Sequence, residues 1–244
     1  MNDFELNCLS YWFPKIHAAG LRVPSTTIIR APHDLTGLLD GEKPERWDDL
    51  MTTLREAVER HGVPCFLRTG QGSGKHGWED TCYVSDPAQV GRHVAALVEW
   101  SHIVDMFGLP HDVFAVRDLI PTTPLFHCTD FGNFPVTREF RFFMRSDSME
   151  LEHIQPYWPP DAVEQGSPDV DNWRALLESA NLLTDAEQKY LHILAHRAVV
   201  AVGGYWSLDF LQDAIGGWWL TDMALGERSF KWNPEKEEED EEES

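Results

Sequence analysis

The sequence predicts an α+β fold in which helices pack on antiparallel strand pairs. Three observations carry this expectation. Tyr205 to Arg228 reads as a strand hairpin, Pro64 to Val84 reads as strand, glycine-rich loop and strand, and amphipathic helical stretches lie between such pairs. With 244 residues the chain can form one large domain or two small ones with a substantial core. A hydrophobic content of 42% and ten tryptophans exclude a disordered chain, and no apolar run reaches the length of a membrane span.

Phe4, Leu6, Leu9, Trp12, Phe13 and Ile16 predict a helix over residues 3–19, bent or interrupted near Pro14 and ended by Gly20. The β-branched run Thr26 to Ile29, after Pro24, predicts a short strand. Trp47, Leu50, Met51, Leu54, Ala57 and Val58 define a helix over 45–61 that Gly62 stops. Trp78 to Val84 is expected as the strand that closes the glycine-rich loop. Ser85 or Asp86 caps a helix running to residue 107, with Pro87 at its start and Gly108 after its end. His111 to Pro121 alternates like a strand, and residues 137–145 and 149–158 form two strands around a turn at Asp147 and Ser148. Residues 159–171 are expected as loop. Two helices, 172–181 and 184–202, then lead into the last hairpin, with Leu183, Tyr190, Leu194, Val199 and Val200 buried.

The hairpin holds the first functional signal. A turn centred on Ile215 and Gly216 sets Trp206 against Leu225, Phe210 against Thr221 and Asp209 against Asp222. Alternation then sends Trp206, Leu208, Phe210, Trp219, Met223 and Leu225 to the core and collects the two aspartates on the other face. Opposed carboxylates repel unless one is protonated or a cation lies between them, and Mg²⁺, a hard ion with oxygen ligands, would resolve the conflict. A register shifted by two residues would instead leave both aspartates flanking a solvated edge.

Charge narrows the partners. The net charge is −21, and Glu235 to Glu243 contributes eight acidic residues against Lys236, leaving −14 elsewhere. An acidic surface excludes extended wrapping of nucleic acid but allows a locally held nucleotide. The tail is expected to be disordered and solubilising. The acidic N-terminus lacks an export signal, and Cys8, Cys65, Cys82 and Cys128 form no CxxC pair, so a cytoplasmic protein with reduced, buried thiols is expected. Gly72, Gly74 and Gly77 make a GxGxxG, but strand rather than helix is expected after it, and a Walker loop would need other residues at Thr69 and His76. What remains is a loop of backbone N–H groups with Arg68 and Lys75, suited to cover phosphates, or else a plain flexible hairpin. Glu139 and Arg141 share one strand face, as part of a site or as an edge salt bridge. His192 and His196 lack an accompanying ligand set and are expected as surface or core residues.

The order of these parts resembles the ATP-grasp superfamily. The stretch YWFPKIHAAGLRVPSTTII is similar to the segment before its ATP-binding lobes. The nearer likeness is to the branch that holds the arginine-two-lysine clade of phage and bacterial proteins and the eukaryotic cell-division-cycle assembly factor. Its spaced basic residues and tryptophan resemble Arg68, Lys75 and Trp78, its hinge FAVRDLIP, its EFR strand Glu139-Phe140-Arg141, its QYNxY-like continuation Gln155-Pro156-Tyr157, and its terminal aspartate strands LDF and LTDMAL. The likeness covers most of residues 9–230.

This resemblance implies two α+β lobes with ATP between them, arranged as a small N-terminal segment (1–62), a small lobe with the glycine-rich loop (63–121), a large lobe with the metal-binding hairpin (122–234) and the acidic tail (235–244). Adenine would lie at Ala115, Val116, Arg117, Asp118 and Leu119, and phosphates under Gly72 and Gly74 against Arg68, Lys75 and Arg141. Asp209 and Asp222 would hold Mg²⁺. Lys75 and Arg141 would serve catalysis, and loops 122–135 and 157–166 the substrate. The implied activity is ATP- and Mg²⁺-dependent carboxylate–amine ligation, with a peptide or protein as a candidate substrate; the alternatives are a nucleotide-gated assembly chaperone or an interaction module whose site has decayed. Two departures bear on this. Arg68 stands where the family usually has lysine, and Ala224 where it usually has asparagine, which leaves metal binding open between weaker, aided by Glu227, or lost.

Overall fold

The computed structural model of the protein describes residues 1–31, 33–104 and 108–232. The acidic tail and the end of the helix expected to reach residue 107 lie outside the described residues.

The chain begins with α1 (Asp3–Asn7) and α2 (Leu9–Ala18). The break falls at Cys8, whose backbone is extended, and the helix runs on through Pro14, contrary to the expected bend there. The cause is tertiary: the Leu9 N–H leaves the helical ladder to donate to the Gly70 carbonyl at 2.8 Å.

The first sheet is antiparallel, in the order β1-β4-β2-β3, formed by β1 (Thr26–Arg30), β2 (Cys65–Thr69), β3 (Tyr83–Val84) and β4 (Val113–Asp118). Its outer face packs on α3 (Trp47–His61) and α4 (Val90–Ile103), where Leu54, Val58, Val94, Leu97, Leu67, Phe114 and Val116 form one core. Residues 78–82 are turn and not the strand expected. The Gly77 carbonyl accepts from Asp80 and Thr81, and that of Trp78 from Cys82 and Tyr83, so local bonds outcompete the ladder until Tyr83.

A small hairpin, β5 (Phe126–Cys128) with β6 (Phe134–Val136), precedes the second sheet. That sheet, ordered β10-β9-β7-β8, contains β7 (Glu139–Arg145), β8 (Leu151–Pro156), β9 (Tyr205–Gln212) and β10 (Trp218–Leu225), all antiparallel to their neighbours. Between β8 and β9 lie α5 (Pro160–Gln165), α6 (Trp173–Ala180) and α7 (Asp185–Val202). The first of these occupies a stretch expected as loop, with Pro160 in its first turn, where a missing N–H costs nothing. Phe140, Phe142, Leu208 and Phe210 pack on α2 and α7 through Trp12, Ile16, Leu191 and Ala198. On α7 the buried stripe is Leu191, Leu194, Ala195, Ala198, Val199 and Val202; Tyr190 and Val200, expected inside, fall off it and are exposed. Residues 1–62 do not pack as one unit, since α2 joins the second core while β1 and α3 belong to the first.

The final hairpin keeps the expected opposition of Asp209 and Asp222 but reaches it by another route. Gln212 pairs with Trp218 and Phe210 with Leu220, and a bulge then leaves Thr221 without a partner before Asp209 meets Asp222. The extra residue reverses the phase. Trp218 and Leu220 therefore enter the core, whereas Trp219, expected there, turns outward beneath Arg22 and donates its indole N–H to Asp213. Among the described residues no helix is long and apolar enough to cross a membrane.

An ion pair at the start of α7 adds to the packing of that helix on the sheet. Thr184 and Glu187 form a reciprocal capping box, and Arg138 binds the Glu187 carboxylate and, by that hydrogen bond first, draws its pKa from 4.5 down to about 2. A depressed carboxylate stabilises the fold above its unfolded value and loses that contribution as pH falls toward the folded one. Urea unfolding of Glu187→Gln at stepped pH should therefore give a flatter stability curve than wild type between about pH 4.5 and 2.

Candidate functional site

The inner faces of the two sheets carry the charged residues. On the first sheet Arg68 is the register partner of Ala115, and Arg117 the partner of both Thr26 and Phe66, so these side chains share one face. On the second sheet Gln155, Arg141, Asp209 and Asp222 form a single row across β8, β7, β9 and β10. Three ion pairs fill the space between. Arg68 Nη1 lies 2.8 Å from Asp222 Oδ1, Lys75 Nζ lies 3.2 Å from Glu139 Oε1, and Arg141 grips Asp209 through Nε and Nη2 at 2.7 and 2.9 Å. Arg68 and Glu139 are each only 2% exposed. Burial opposes each charge, but the partners prevail for three of these groups: Asp222 is held below the usual carboxylate range by Arg68, Lys75 is pushed up by Glu139, and Arg141 is pushed up by Asp209.

Arg117 differs. It is 3% exposed, donates through Nε to Thr26 and through Nη1 to the Thr221 carbonyl at 2.6 Å, and among the described residues its Nη2 has no hydrogen-bond partner. Burial, and then the adjacent Arg68 charge, disfavour its cationic form. The bulge supplies the link among these groups, because Thr221 Oγ1 reaches both Glu139 and the Asp209 carbonyl. Tyr157 lies under two cations, with Lys75 Nζ 4.2 Å and Arg141 Cζ 4.8 Å from its ring centre.

A cavity of about 440 Å³ opens from this cluster. Arg68, Lys75, Arg117, Glu139, Thr221 and Asp222 line one part of it, while Phe66, Trp78, Tyr83, Leu119, Ile120, Phe134 and Leu211 supply an apolar wall. Trp78 stacks on Tyr83 at 5.2 Å and meets Phe134 edge-on at 5.2 Å.

No family model and no curated protein matches the chain. Among solved structures it is similar to C-terminally truncated Cdc123 from Schizosaccharomyces pombe, with a TM-score of 0.57 and 14% identity over 92% of this chain and 85% of that one. This likeness is one of fold. A RimK domain ATP-grasp protein from Sphaerobacter thermophilus matches with a TM-score of 0.49 and 13% identity over 91% of this chain and 60% of that one. D-alanine–D-alanine ligase from Bacillus anthracis, in complex with ATP, matches with a TM-score of 0.48 and 9% identity over 90% of this chain and 54% of that one.

Within this fold the expected site residues divide. Arg68, Lys75, Arg117, Asp118, Leu119 and Asp222 line the cavity; Arg141 and Asp209 stand behind it in the same sheet row. Ala115 and Val116 are buried in the two cores, and Gly72 and Gly74 pack outside the lining. Glu139 was left open between a site and an edge salt bridge, and Tyr157 and Phe134 fell in loops expected to serve the substrate; Thr221, Phe66, Tyr83 and Leu211 are the site components that sequence reasoning left unassigned. Asp209 and Asp222 face each other, but among the described residues no three acidic, histidine or cysteine side chains gather around one point, and Glu227 is exposed. Two carboxylates fit Mg²⁺ when phosphate oxygens and water complete its octahedron.

Gly72 has a packing reason of its own, since a Cβ there would lie 2.3 Å from the Trp100 ring. Gly72→Ala should lower stability by about 1–3 kcal/mol through this overlap, read as a shift in the chemical unfolding midpoint.

Proposed function

We propose that the protein binds ATP between its two sheets and uses it to join a carboxylate to an amine through an acyl phosphate, with a peptide or protein as substrate. The observation that carries this reading is the convergence of Arg68, Lys75 and Arg117 beside Asp222 in one part of a cavity that also has an apolar wall holding Phe66, Trp78 and Tyr83. Adenine would lie against Phe66, Trp78 and Tyr83 below residues 118–120. The triphosphate would meet Arg68, Lys75 and the unpartnered Nη2 of Arg117, a donor whose burial is costly until an acceptor arrives. Asp209 and Asp222 would hold Mg²⁺ together with phosphate oxygens, and the ion supplies neutralisation of the transferring group. With these aspartates engaged by a metal, Arg68 and Arg141, which now pair with them, would be available to phosphate.

In the transfer, a donor carboxylate oxygen attacks the γ-phosphorus while the bond to the β-phosphate oxygen of ADP breaks. Lys75 and Arg68 hold the departing and transferring oxygens, and Arg141 steadies the acyl phosphate. An amine then attacks the acyl carbon, its N–H proton is lost, and inorganic phosphate leaves with the C–O electron pair. The protein's part is positioning, charge and exclusion of water.

A second reading, a nucleotide-gated assembly factor, is favoured by the overall likeness to Cdc123; Ala224, which offers no metal ligand, supports instead an interaction module whose site has decayed. ADP release measured with candidate peptide carboxylates and amines separates the two. The ligase reading expects ADP release that depends on both substrates, a condensed product by mass spectrometry, and a loss of roughly 100-fold or more in Lys75→Met. Tight ATP binding without turnover under any substrate pair would favour the assembly factor.

A further inference from the structure

The sheet row that holds Arg141 and Asp209 continues to Gln155 on β8, and there the chain's own residues 229–232 lie across it. Gln155, 3% exposed, engages two main-chain groups of that segment at once: its Nε2 donates to the Phe230 carbonyl at 3.3 Å and its Oε1 accepts the Trp232 N–H at 2.8 Å. Arg141 Nη1 reaches the same carbonyl at 3.5 Å. Ser207 and Ser229 share a hydrogen bond of 2.6 Å, and Lys231 pairs with Glu152 while lying over the rings of Phe143 and Tyr205. A primary amide carries a donor and an acceptor side by side, so it offers a passing chain what a strand edge offers. Recognition therefore falls on main-chain atoms, and the Phe230 residue itself is 64% exposed. Contacts of this kind accept extended peptides of varied sequence, with Glu152 favouring a basic residue at one position.

We propose that Gln155, Arg141, Ser207 and Glu152 form a docking groove for an extended peptide, filled here in cis by residues 229–232, and that a peptide substrate of the ligation lies in it. The substrate assignment rests on the ATP-dependent reading above, whereas the groove rests on the Gln155 contacts. Arg141 links the two, since it touches both the segment and Asp209. A simple tie-down of the segment would hold no second chain. A docking groove would.

The test uses the full chain. Trp232→Pro removes the N–H that Gln155 accepts and loosens the segment while leaving the groove intact; Lys231→Glu, which faces Glu152, loosens it independently. A fluorescently labelled peptide of sequence Ser-Phe-Lys-Trp-Asn is titrated against wild type, each variant, and Trp232→Pro combined with Gln155→Ala. The proposal expects at least tenfold tighter binding to both loosened variants than to wild type, and loss of that gain in the double variant. Equal binding to wild type and the loosened variants, or a gain indifferent to Gln155, overturns it. ATP titration of the same proteins separates the claims. A peptide gain without ATP binding upholds the groove and overturns its assignment to a ligation substrate, while ATP binding without a peptide gain overturns the groove and leaves the nucleotide reading standing.

Discussion

The site depends on how four cations and three carboxylates are buried together between the sheets. Arg68, Lys75, Arg117 and Arg141 stand against Glu139, Asp209 and Asp222, one positive charge in excess. Each buried charge costs several kcal/mol of lost hydration unless a partner and hydrogen bonds offset it. Three pairs meet that condition; Arg117 meets it with two neutral acceptors and one empty donor position. The arrangement is self-consistent without a ligand yet biased toward an anion. On the nucleotide reading proposed above, an incoming polyphosphate would give Arg117 its missing acceptor, and a divalent cation would replace the guanidinium groups that the aspartates now hold.

Backbone geometry makes this density of charge possible. Strand β4 is buried along both faces from Val113 to Arg117, so one strand serves the first core through Phe114 and Val116 and the cleft through Arg117. The Thr221 bulge gives Arg117 a carbonyl and Glu139 a hydroxyl, and it restores the register that opposes the two aspartates. A regular hairpin would have kept Thr221 in the ladder and left the two sheets without this bridge.

Much of this order was legible in the sequence, and the misses have identifiable causes. The facing aspartates were expected from a turn register that is one residue off: the turn pairs Gln212 with Trp218, and only the bulge at Thr221 brings Asp209 opposite Asp222; the consecutive Trp218-Trp219-Leu220 was a visible signal that strict alternation fails there. Trp78 to Val84 misled because its residues favour strands while the Gly77 and Trp78 carbonyls capture the following N–H groups locally. Tyr190 and Val200 are apolar residues just off the stripe, a distinction that rotation about one helix decides. The pairing of Lys75 with Glu139, the orphan Nη2 of Arg117 and the clasp of Gln155 on residues 230 and 232 had no local signal. They join segments far apart in the chain and exist only once both sheets are in place.

The central claim is that this buried charge cluster is a nucleotide site whose aspartates exchange arginine for a metal. Calorimetric titration with ATP, with and without Mg²⁺, on wild type and on Asp209→Asn with Asp222→Asn, tests it most directly. The account predicts binding to wild type that strengthens with Mg²⁺, and a double variant in which that Mg²⁺ dependence is lost. Absence of ATP binding by the folded wild type, or an unchanged Mg²⁺ dependence in the double variant, would contradict it.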